Sequence, residues 1–249
     1  MRRIAISRSR GGSVLFARDG AREVVVDRRL EAAEETAAQI RDEGFEASTA
    51  LADATREPEC AALVAECVRR HGRIDVLHNN VGIGGGDDGP ADVREEAWDR
   101  ILAVNLKSVV FPCKHVLSVM REQRGGAITN VSSIAAVCST PAVAYKASKA
   151  GINAYTQSLA VGNARYGIRA NVIMPGLIET PMAIEGISRE RGIPKQELIR
   201  QRHAAVPLGA HMGAAWDVAW AAVYLASDEA RFVTGVTLPV DGGQSARIG

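Results

Sequence analysis

The 249-residue sequence has little of several features that define common protein classes. Its four cysteines (Cys60, Cys67, Cys113 and Cys138) form no Cys-x-x-Cys pair and no metal-binding spacing, which predicts reduced thiols and no structural metal. The formal net charge is only +1, so no basic patch favours nucleic acid as a partner, and no acidic tail favours disorder.

Long apolar runs are also missing. No stretch approaches the ~20 apolar residues that a membrane span needs, and the basic start, residues 1–8, has no apolar core of the signal-peptide kind. We therefore expect a cytoplasmic protein that does not enter a membrane. His203 and His211 have no partner acids in a ligand pattern, so no metal site is predicted.

The apolar content and the order of predicted elements indicate the fold. Apolar residues make up 47% of the chain, enough for one large core, and we expect a single domain over residues 1–249. Strands and helices alternate, which predicts an α/β protein with a doubly wound parallel sheet covered by helices on both faces. The predicted strands are Ile4–Ser7, Glu23–Asp27, Glu46–Leu51, Ile74–Asn79, Ala127–Val131, Ile168–Ile173 and Val236–Val240. The predicted helices are Ser13–Gly20, Leu30–Asp42, Glu57–His71, Asp92–Arg121, Ala142–Leu159 and Trp216–Ala226.

The most informative pair of residues is Tyr145 and Lys149, four apart in a predicted helix. Residues at this spacing share a helix face, with Cβ atoms ~5–6 Å apart. A nearby cation favours phenolate over phenol, so we expect the pKa of Tyr145 to fall from its usual ~10 toward the working pH. Such a pair is suited to proton transfer.

Seven motifs occur in order around this pair, and in them the chain resembles the short-chain dehydrogenase/reductase family of Rossmann-fold oxidoreductases over roughly residues 13 to 245. The motifs are Asp53, Asn79-Asn80-Val81-Gly82, Val104-Asn105-Leu106, Asn130-Val131-Ser132-Ser133, Tyr145-x-x-x-Lys149, Pro175-Gly176-Leu177-Ile178-Glu179-Thr180, and Val233-Thr234-Gly235 with Val240-Asp241-Gly242-Gly243. The resemblance implies interconversion of an alcohol and a ketone with a nicotinamide cofactor, in a homotetramer.

The resemblance also implies roles for five residues. Tyr145 would be the general acid/base, and Lys149 would lower its pKa and bind the nicotinamide ribose. Ser133 would stabilise the reacting oxygen, with Ser132 left open as the neighbouring candidate. Asn105 would hold a water that relays protons from Lys149.

Asp27 ends a predicted strand and suits an adenosine ribose 2′-OH, so NAD is expected over NADP. Arg28 and Arg29 follow directly, and NADP stays an alternative because either guanidinium can bind a 2′-phosphate. The other cofactor contacts that the resemblance implies are Asp53, Ala54, Asn80, Gly82, Tyr145, Pro175, Gly176 and Thr180.

The family's phosphate-binding motif, Thr-Gly-x-x-x-Gly-x-Gly after the first strand, is missing. An ungapped alignment places Ser7 and Ser9 at the last two glycines and leaves no first strand. We favour the alternative, a strand over residues 3–7 and a contracted loop over residues 8–12, because an empty central slot would expose two strand edges. In that case, the charges of Arg8 and Arg10 would bind the diphosphate in place of the missing backbone amides. The alternative is that the first dozen residues pack poorly and that cofactor affinity is weak.

Two further segments flank the predicted site. Gly84-Gly85-Gly86-Asp87-Asp88-Gly89 fits a Gly-x-Gly-x-x-Gly pattern, but its carboxylates would repel a phosphate, so we expect a mobile loop beside the substrate cleft. Residues 181–215 occupy the family's substrate-lid position and are expected to be irregular. A competing hypothesis follows from the missing motif: a catalytically impaired protein with weak or no dinucleotide binding that acts by oligomerising or binding a ligand.

Overall fold

The fold was described from a computed structural model, which covers residues 3–7 and 9–247, without the side chain of Met182. The strands are β1 (Ile4–Ser7), β2 (Arg22–Asp27), β3 (Ala47–Leu51), β4 (Val76–Asn79), β5 (Gly126–Val131), β6 (Ile168–Pro175), β7 (Ile178–Glu179), β8 (Gly213–Ala214) and β9 (Thr237–Val240). The helices are α1 (Arg10–Arg18), α2 (Leu30–Asp42), α3 (Glu57–His71), α4 (Glu95–Gln123), α5 (Val143–Asn163), α6 (Ile187–Arg191), α7 (Lys195–Ala204) and α8 (Ala215–Ala226).

Seven strands form one parallel sheet in the order β3-β2-β1-β4-β5-β6-β9, and this confirms the predicted fold class. The buried strands are rich in Val and Ile, as expected for a sheet covered on both faces. Strand order reverses between β1 and β4, so a crevice opens at the carboxyl ends of these strands. Such a crevice is where ligands bind in open α/β sheets.

The connection from β1 to α1 is shorter than we expected. Strand β1 ends at Ser7 and pairs with both β2 and β4, so the central slot is filled as predicted. Helix α1 begins at Arg10, which leaves two residues for the connection and places Gly11 and Gly12 inside the helix. The predicted loop over residues 8–12 and the predicted helix start at Ser13 are therefore wrong. Ser9 caps α1 by accepting a hydrogen bond from the Gly12 amide, so the helix starts earlier than apolar periodicity suggests.

The lid segment, expected to be irregular, is mostly helical. A π-helical turn over Met182–Gly186 leads into α6, and α7 follows after Pro194. The parallel pair β7–β8 joins the two ends of the lid, and the apolar centre of the lid is formed by Ile184, Val206 and Met212. Gly and Pro residues within the segment hide these short helices from a periodicity argument.

Within the described ranges, α4 is the one helix long and apolar enough to cross a membrane, with a mean hydropathy of 1.2 over an 18-residue window. The expectation that no stretch approaches a membrane span did not take account of this window. The fold packs α4 against α3, α5, β4 and β5, and 44% of the window is buried. Apolar side chains of α4 such as Ile101, Val109 and Met120 are thus buried inside the fold.

A buried carboxylate stands out in β2. Glu23 is 1% exposed, and its oxygens have no hydrogen-bond partner among the described residues. Burial raises the pKa of Glu23 well above its usual range, and the nearby Ser13 hydroxyl offsets only part of that rise without reaching good hydrogen-bond geometry. This position belongs to a strand that is otherwise apolar in its centre.

Candidate active site

The candidate site lies where β5 ends and α5 begins. Strand β5 delivers Ser132 and Ser133 at the carboxyl edge of the sheet, and a short 3₁₀ turn over Ile134–Ala136 follows. Lys146, on the first turn of α5, donates to the carbonyls of Ala135 and Cys138 at 3.2 and 2.6 Å. The helix thereby holds the segment that carries the serines.

Tyr145 and Lys149 share one face of α5, as their spacing predicts. The Lys149 Nζ lies 5.6 Å from the centroid of the Tyr145 ring, and it donates to the Val131 carbonyl at 3.1 Å. Lys149 is 4% exposed. A Cβ added to Gly82 would lie 3.1 Å from this Nζ, so the glycine lets the chain after β4 pass close to the ammonium.

The predicted fall in the pKa of Tyr145 is wrong for the protein alone. Burial raises the pKa of Tyr145, and the hydrogen bond with the Ser133 side chain lowers it by less. Burial also lowers the pKa of Lys149 to about 8, because the ammonium loses its hydration. Tyr145 and Lys149 are thus both shielded from water. For the pKa of Tyr145, this desolvation outweighs the attraction between phenolate and ammonium that the helical spacing suggested.

The two serines have different surroundings. The Ser132 hydroxyl donates to the Lys149 carbonyl at 2.8 Å and is buried, so it anchors α5 on the strand. The Ser133 hydroxyl accepts from the Ala135 amide at 3.1 Å and interacts with Tyr145. The geometry therefore favours Ser133 as the hydroxyl that meets a substrate oxygen.

Asn105 of α4 is fully buried and clamps the chain after β4. Its Oδ1 accepts from the Ile83 amide at 2.8 Å, and its Nδ2 donates to the Ile83 carbonyl and the Ser148 hydroxyl at 3.0 and 2.9 Å. Both Nδ2 protons are used by the protein, while Oδ1 keeps one lone pair. Its role as a water holder stays a prediction.

The residues predicted to contact adenosine lie at the carboxyl ends of β2 and β3. The Asp27 Oδ1 accepts from the Arg29 amide at 2.9 Å. The Asp53 Oδ1 accepts from the amide and hydroxyl of Thr55, and the first of these bonds is the main cause of its lowered pKa. Ala54 is buried beside Asp53. Both carboxylates are thus oriented by bonds within the turns that carry them.

The remaining predicted cofactor contacts lie toward the lid. Asn80 is exposed after β4, and Pro175 ends β6. A Cβ at Gly176 would collide with the segment that carries Asp241 and Gln244, so this glycine serves close packing. The Thr180 hydroxyl accepts from the Ala183 amide at 3.3 Å and caps the first turn of the lid.

The diphosphate end lacks the glycine cradle of the family. The Ser7 hydroxyl accepts from the Ser9 amide, and the Ser9 hydroxyl caps α1. The Arg10 Nε donates to Gln39 at 3.0 Å, while Arg8 lies outside the described residues. The nicotinamide end fits a bound dinucleotide in its donor set, since the Lys149 ammonium donates to the Val131 carbonyl in the described contacts and has further N–H groups for ribose hydroxyls. The β1–α1 connection instead offers serine side chains where the family has glycine.

Sequence reasoning missed Asp87. Its Oδ1 and Oδ2 accept from the amides of Ala144 and Tyr145 at 3.2 and 2.7 Å. One signal was available: Ala142, which precedes α5, has no side-chain acceptor, so the exposed amides of that helix need another partner.

Comparisons with known proteins show which family the chain belongs to. Residues 9–245 match the family described as Enoyl-(Acyl carrier protein) reductase. Cyclopentanol dehydrogenase of a Comamonas species is 35% identical over 236 residues, which cover 93% of this chain and 90% of that protein. A protein of Xanthobacter autotrophicus named inactive 2-(S)-hydroxypropyl-CoM dehydrogenase 2 is 38% identical over 232 residues, 92% of this chain and 97% of its own.

Solved structures show the same similarity. Levodione reductase, known from Leifsonia aquatica, superposes with a TM-score of 0.92 at 30% identity, covering 99% of this chain and 98% of that one. An NAD⁺-bound xylitol dehydrogenase gives 0.90 at 28% identity, with 97% and 98% coverage, and an actinorhodin polyketide ketoreductase with NADPH gives 0.91 at 31%, with 99% and 98%. These relatives are consistent with a nicotinamide dinucleotide cofactor. The chain belongs to the short-chain dehydrogenase/reductase family of oxidoreductases.

Proposed function

We propose that this protein interconverts a secondary alcohol and a ketone, with Tyr145 as the general acid/base and NAD as the preferred cofactor. The convergence of Ser133, Tyr145 and Lys149 at one strand end carries the proposal. The similarity to a cyclopentanol dehydrogenase and a levodione reductase supports the substrate class.

The chain's own residues account for the proton chemistry. A bound nicotinamide supplies or accepts the hydride. The Tyr145 phenol donates a proton to the carbonyl oxygen or removes one from the hydroxyl. The Ser133 hydroxyl hydrogen-bonds to that oxygen and stabilises its developing charge, typically by about 3 kcal/mol. Lys149 would bind the nicotinamide ribose through the ammonium N–H groups that the Val131 carbonyl does not use.

The preference for NAD rests on Asp27. Its carboxylate stands at the carboxyl end of β2, where the family binds the adenosine ribose, and one oxygen is held by the Arg29 amide. A carboxylate accepts a hydrogen bond from a ribose 2′-OH and repels a 2′-phosphate. Arg28 lies in the same turn, so Asp27→Ser is expected to shift the preference toward NADP.

The contracted β1–α1 connection favours a second candidate, a catalytically impaired protein with weak dinucleotide binding that acts by oligomerising or binding another ligand. The relative named inactive supports it as well. Calorimetric titration with NAD and NADP separates the candidates, because no binding of either at about millimolar concentration would exclude the enzyme.

If binding is observed, a panel of secondary alcohols that includes cyclopentanol is assayed by absorbance at about 340 nm. The Tyr145→Phe variant is expected to lower kcat about 100- to 10,000-fold while cofactor binding is retained, because it removes the phenol hydroxyl and its transferable proton and keeps the ring. Wild-type turnover in that variant would overturn the role of Tyr145.

We also propose a homotetramer built on α4, α5 and β9. Large apolar side chains lie exposed on α5 and near the C-terminal strand, where Val161 is 82% and Phe232 100% exposed. Trp216 and Trp220 form an exposed pair on α8. Light scattering of the wild type and of Val161→Glu tests this, and a wild-type monomer would contradict it.

A further inference from the structure

The helix that carries Tyr145 has no cap of its own. The residue before its first turn is Ala142, which offers no side-chain acceptor. The first amides are instead met by the loop over residues 84–89. The Asp88 carbonyl accepts from Val143 at 3.4 Å, and the Asp87 carboxylate accepts from Ala144 at 3.2 Å and from Tyr145 at 2.7 Å.

A carboxylate is well suited to this place. Amides in the first turn of a helix have no partner within the helix, and the helix dipole favours a negative charge there. Hydrogen bonds from an amide to a carboxylate are shorter and stronger than neutral ones. The shorter of the two Asp87 bonds goes to the amide of Tyr145 itself, so the anchor acts on the backbone of the tyrosine.

The same loop also contacts the tyrosine ring. A Cβ added to Gly84 would lie 3.3 Å from Cδ2 of Tyr145, tighter than most real Cβ contacts. Backbone at Gly84 therefore packs against the ring, and a larger residue would push it away. The loop restrains both the backbone and the ring of Tyr145.

The loop is itself anchored on two sides. Arg100 and Arg94 of the α4 region donate to the carbonyls of Gly85 and Gly86 at 2.6 and 2.9 Å. Glu190 of α6, in the lid, accepts from the Gly86 amide at 3.0 Å. These bonds tie down the loop that the sequence analysis expected to be mobile, and they join the lid to the start of α5.

We propose that Asp87 is a positioning residue for proton transfer, holding Tyr145 through its backbone amide, and that Glu190 links the substrate lid to this anchor. The proposal rests on the function proposed above. The position of Tyr145 then depends on a loop more than fifty residues earlier in the chain and, through that loop, on the lid.

The first experiment compares three variants with cyclopentanol, or the best alcohol of the panel, and NAD. Asp87→Ala is expected to lower kcat about 10- to 100-fold with unchanged NAD affinity, because small misplacements of a catalytic group are costly. Asp87→Asn keeps one acceptor oxygen for the Tyr145 amide but places an NH2 group against the Ala144 amide, so its kcat is expected to fall between wild type and Asp87→Ala. Asp88→Ala is the matched control, since it removes a surface pair with the Arg94 Nε, while the Asp88 carbonyl and the bond from the other side of the Arg94 guanidinium to the Gly86 carbonyl remain.

Equal losses in Asp87→Ala and Asp88→Ala, or no rescue by Asp87→Asn, would overturn the positioning role. Hydrogen exchange of the peptide over residues 143–149 gives a readout that needs no turnover. Asp87→Ala is expected to speed exchange there at least about 10-fold, and Asp88→Ala is not. Unchanged exchange would sink the anchor whatever the activity, whereas faster exchange in a protein that turns over no alcohol would leave the anchor and remove the proposed function.

The second experiment tests the link to the lid. Glu190→Ala is expected to lower kcat about 3-fold in the wild type and not at all in Asp87→Ala, because the link acts through the loop. Glu185→Ala is the control, since that lid carboxylate pairs only with exposed Lys195 in the described contacts. An equal effect of Glu190→Ala in both backgrounds would overturn the link.

Discussion

The two ends of the cofactor crevice are built differently. At the nicotinamide end, Tyr145 and Lys149 are held by contacts from β5, α4 and the loop after β4. At the diphosphate end, the family relies on one glycine-rich connection, and here that connection is two residues long. One end depends on many distant segments, and the other on a single local one.

This difference shows why one end can change while the other does not. A phosphate cradle is made of neighbouring backbone amides, so a short local change removes it. The proton-transfer site is distributed over the fold, and Ser132, Asn105 and Asp87 each support it from a different element.

After Tyr145→Phe, the largest effect is expected from substitution of the two adjacent serines. Ser133→Ala should lower kcat about 100- to 1000-fold, since it removes the hydroxyl beside Tyr145 that stabilises the reacting oxygen. Ser132→Ala should instead cost about 1–2 kcal/mol of unfolding free energy, because it removes a bond to the Lys149 carbonyl. Steady-state kinetics and urea unfolding of both variants check this pair. The reverse pattern would assign the substrate contact to Ser132.

The diphosphate end can be rebuilt. Replacing Arg8-Ser9 with a Thr-Gly-x-x-x-Gly-x-Gly loop should tighten NAD binding about 10- to 100-fold, because it restores amides that bind phosphate at the start of α1. Affinity for nicotinamide riboside, which has no phosphate, should stay the same. Calorimetry with both ligands measures this. A gain for both ligands would show that the two ends are not independent.

The buried cation at the nicotinamide end should make stability depend on pH. The pKa of Lys149 is about 8 in the folded protein against 10.5 as the usual value, so the unfolded chain binds more protons between these values. Stability therefore rises with pH from about 8 to 10.5. Lys149→Met should be more stable than wild type at pH 7 by about 2 kcal/mol, with the difference shrinking above pH 8. Urea unfolding between pH 7 and pH 10 checks it, and a constant difference would contradict the burial argument.

The buried carboxylate of Glu23 should give stability the opposite pH dependence from that of Lys149. The pKa of Glu23 is raised well above 4.5, so the folded protein binds more protons than the unfolded chain above that pH. Stability from the protonated form is full below about 4.5 and is lost as the pH rises. Glu23→Val should therefore add about 1–2 kcal/mol at pH 7. Thermal unfolding from pH 4.5 to 8 measures it, with Glu122→Gln at an exposed position as control; equal stability at pH 8 would count against the prediction.

Sequence patterns predicted what depends on near neighbours. Helical spacing placed Lys149 on the same face as Tyr145, and alternating elements predicted the sheet. The patterns failed where burial or distant partners decide. The pKa of Tyr145 is raised, because burial acts on it more strongly than the spacing argument assumed. Asp87 was interpreted as repelling phosphate, and the amides that it caps lie 57 and 58 residues away.

The fold class, the tyrosine–lysine pair and the loss of the glycine motif can be predicted from the sequence, because each depends on residues that are close along the chain. Only the tertiary structure decided which serine faces the phenol and which polar groups lose their water. It also decided what caps the helix of Tyr145. The physical reason is that hydration, and partners for amides at a helix start, are set by what the fold brings close in space.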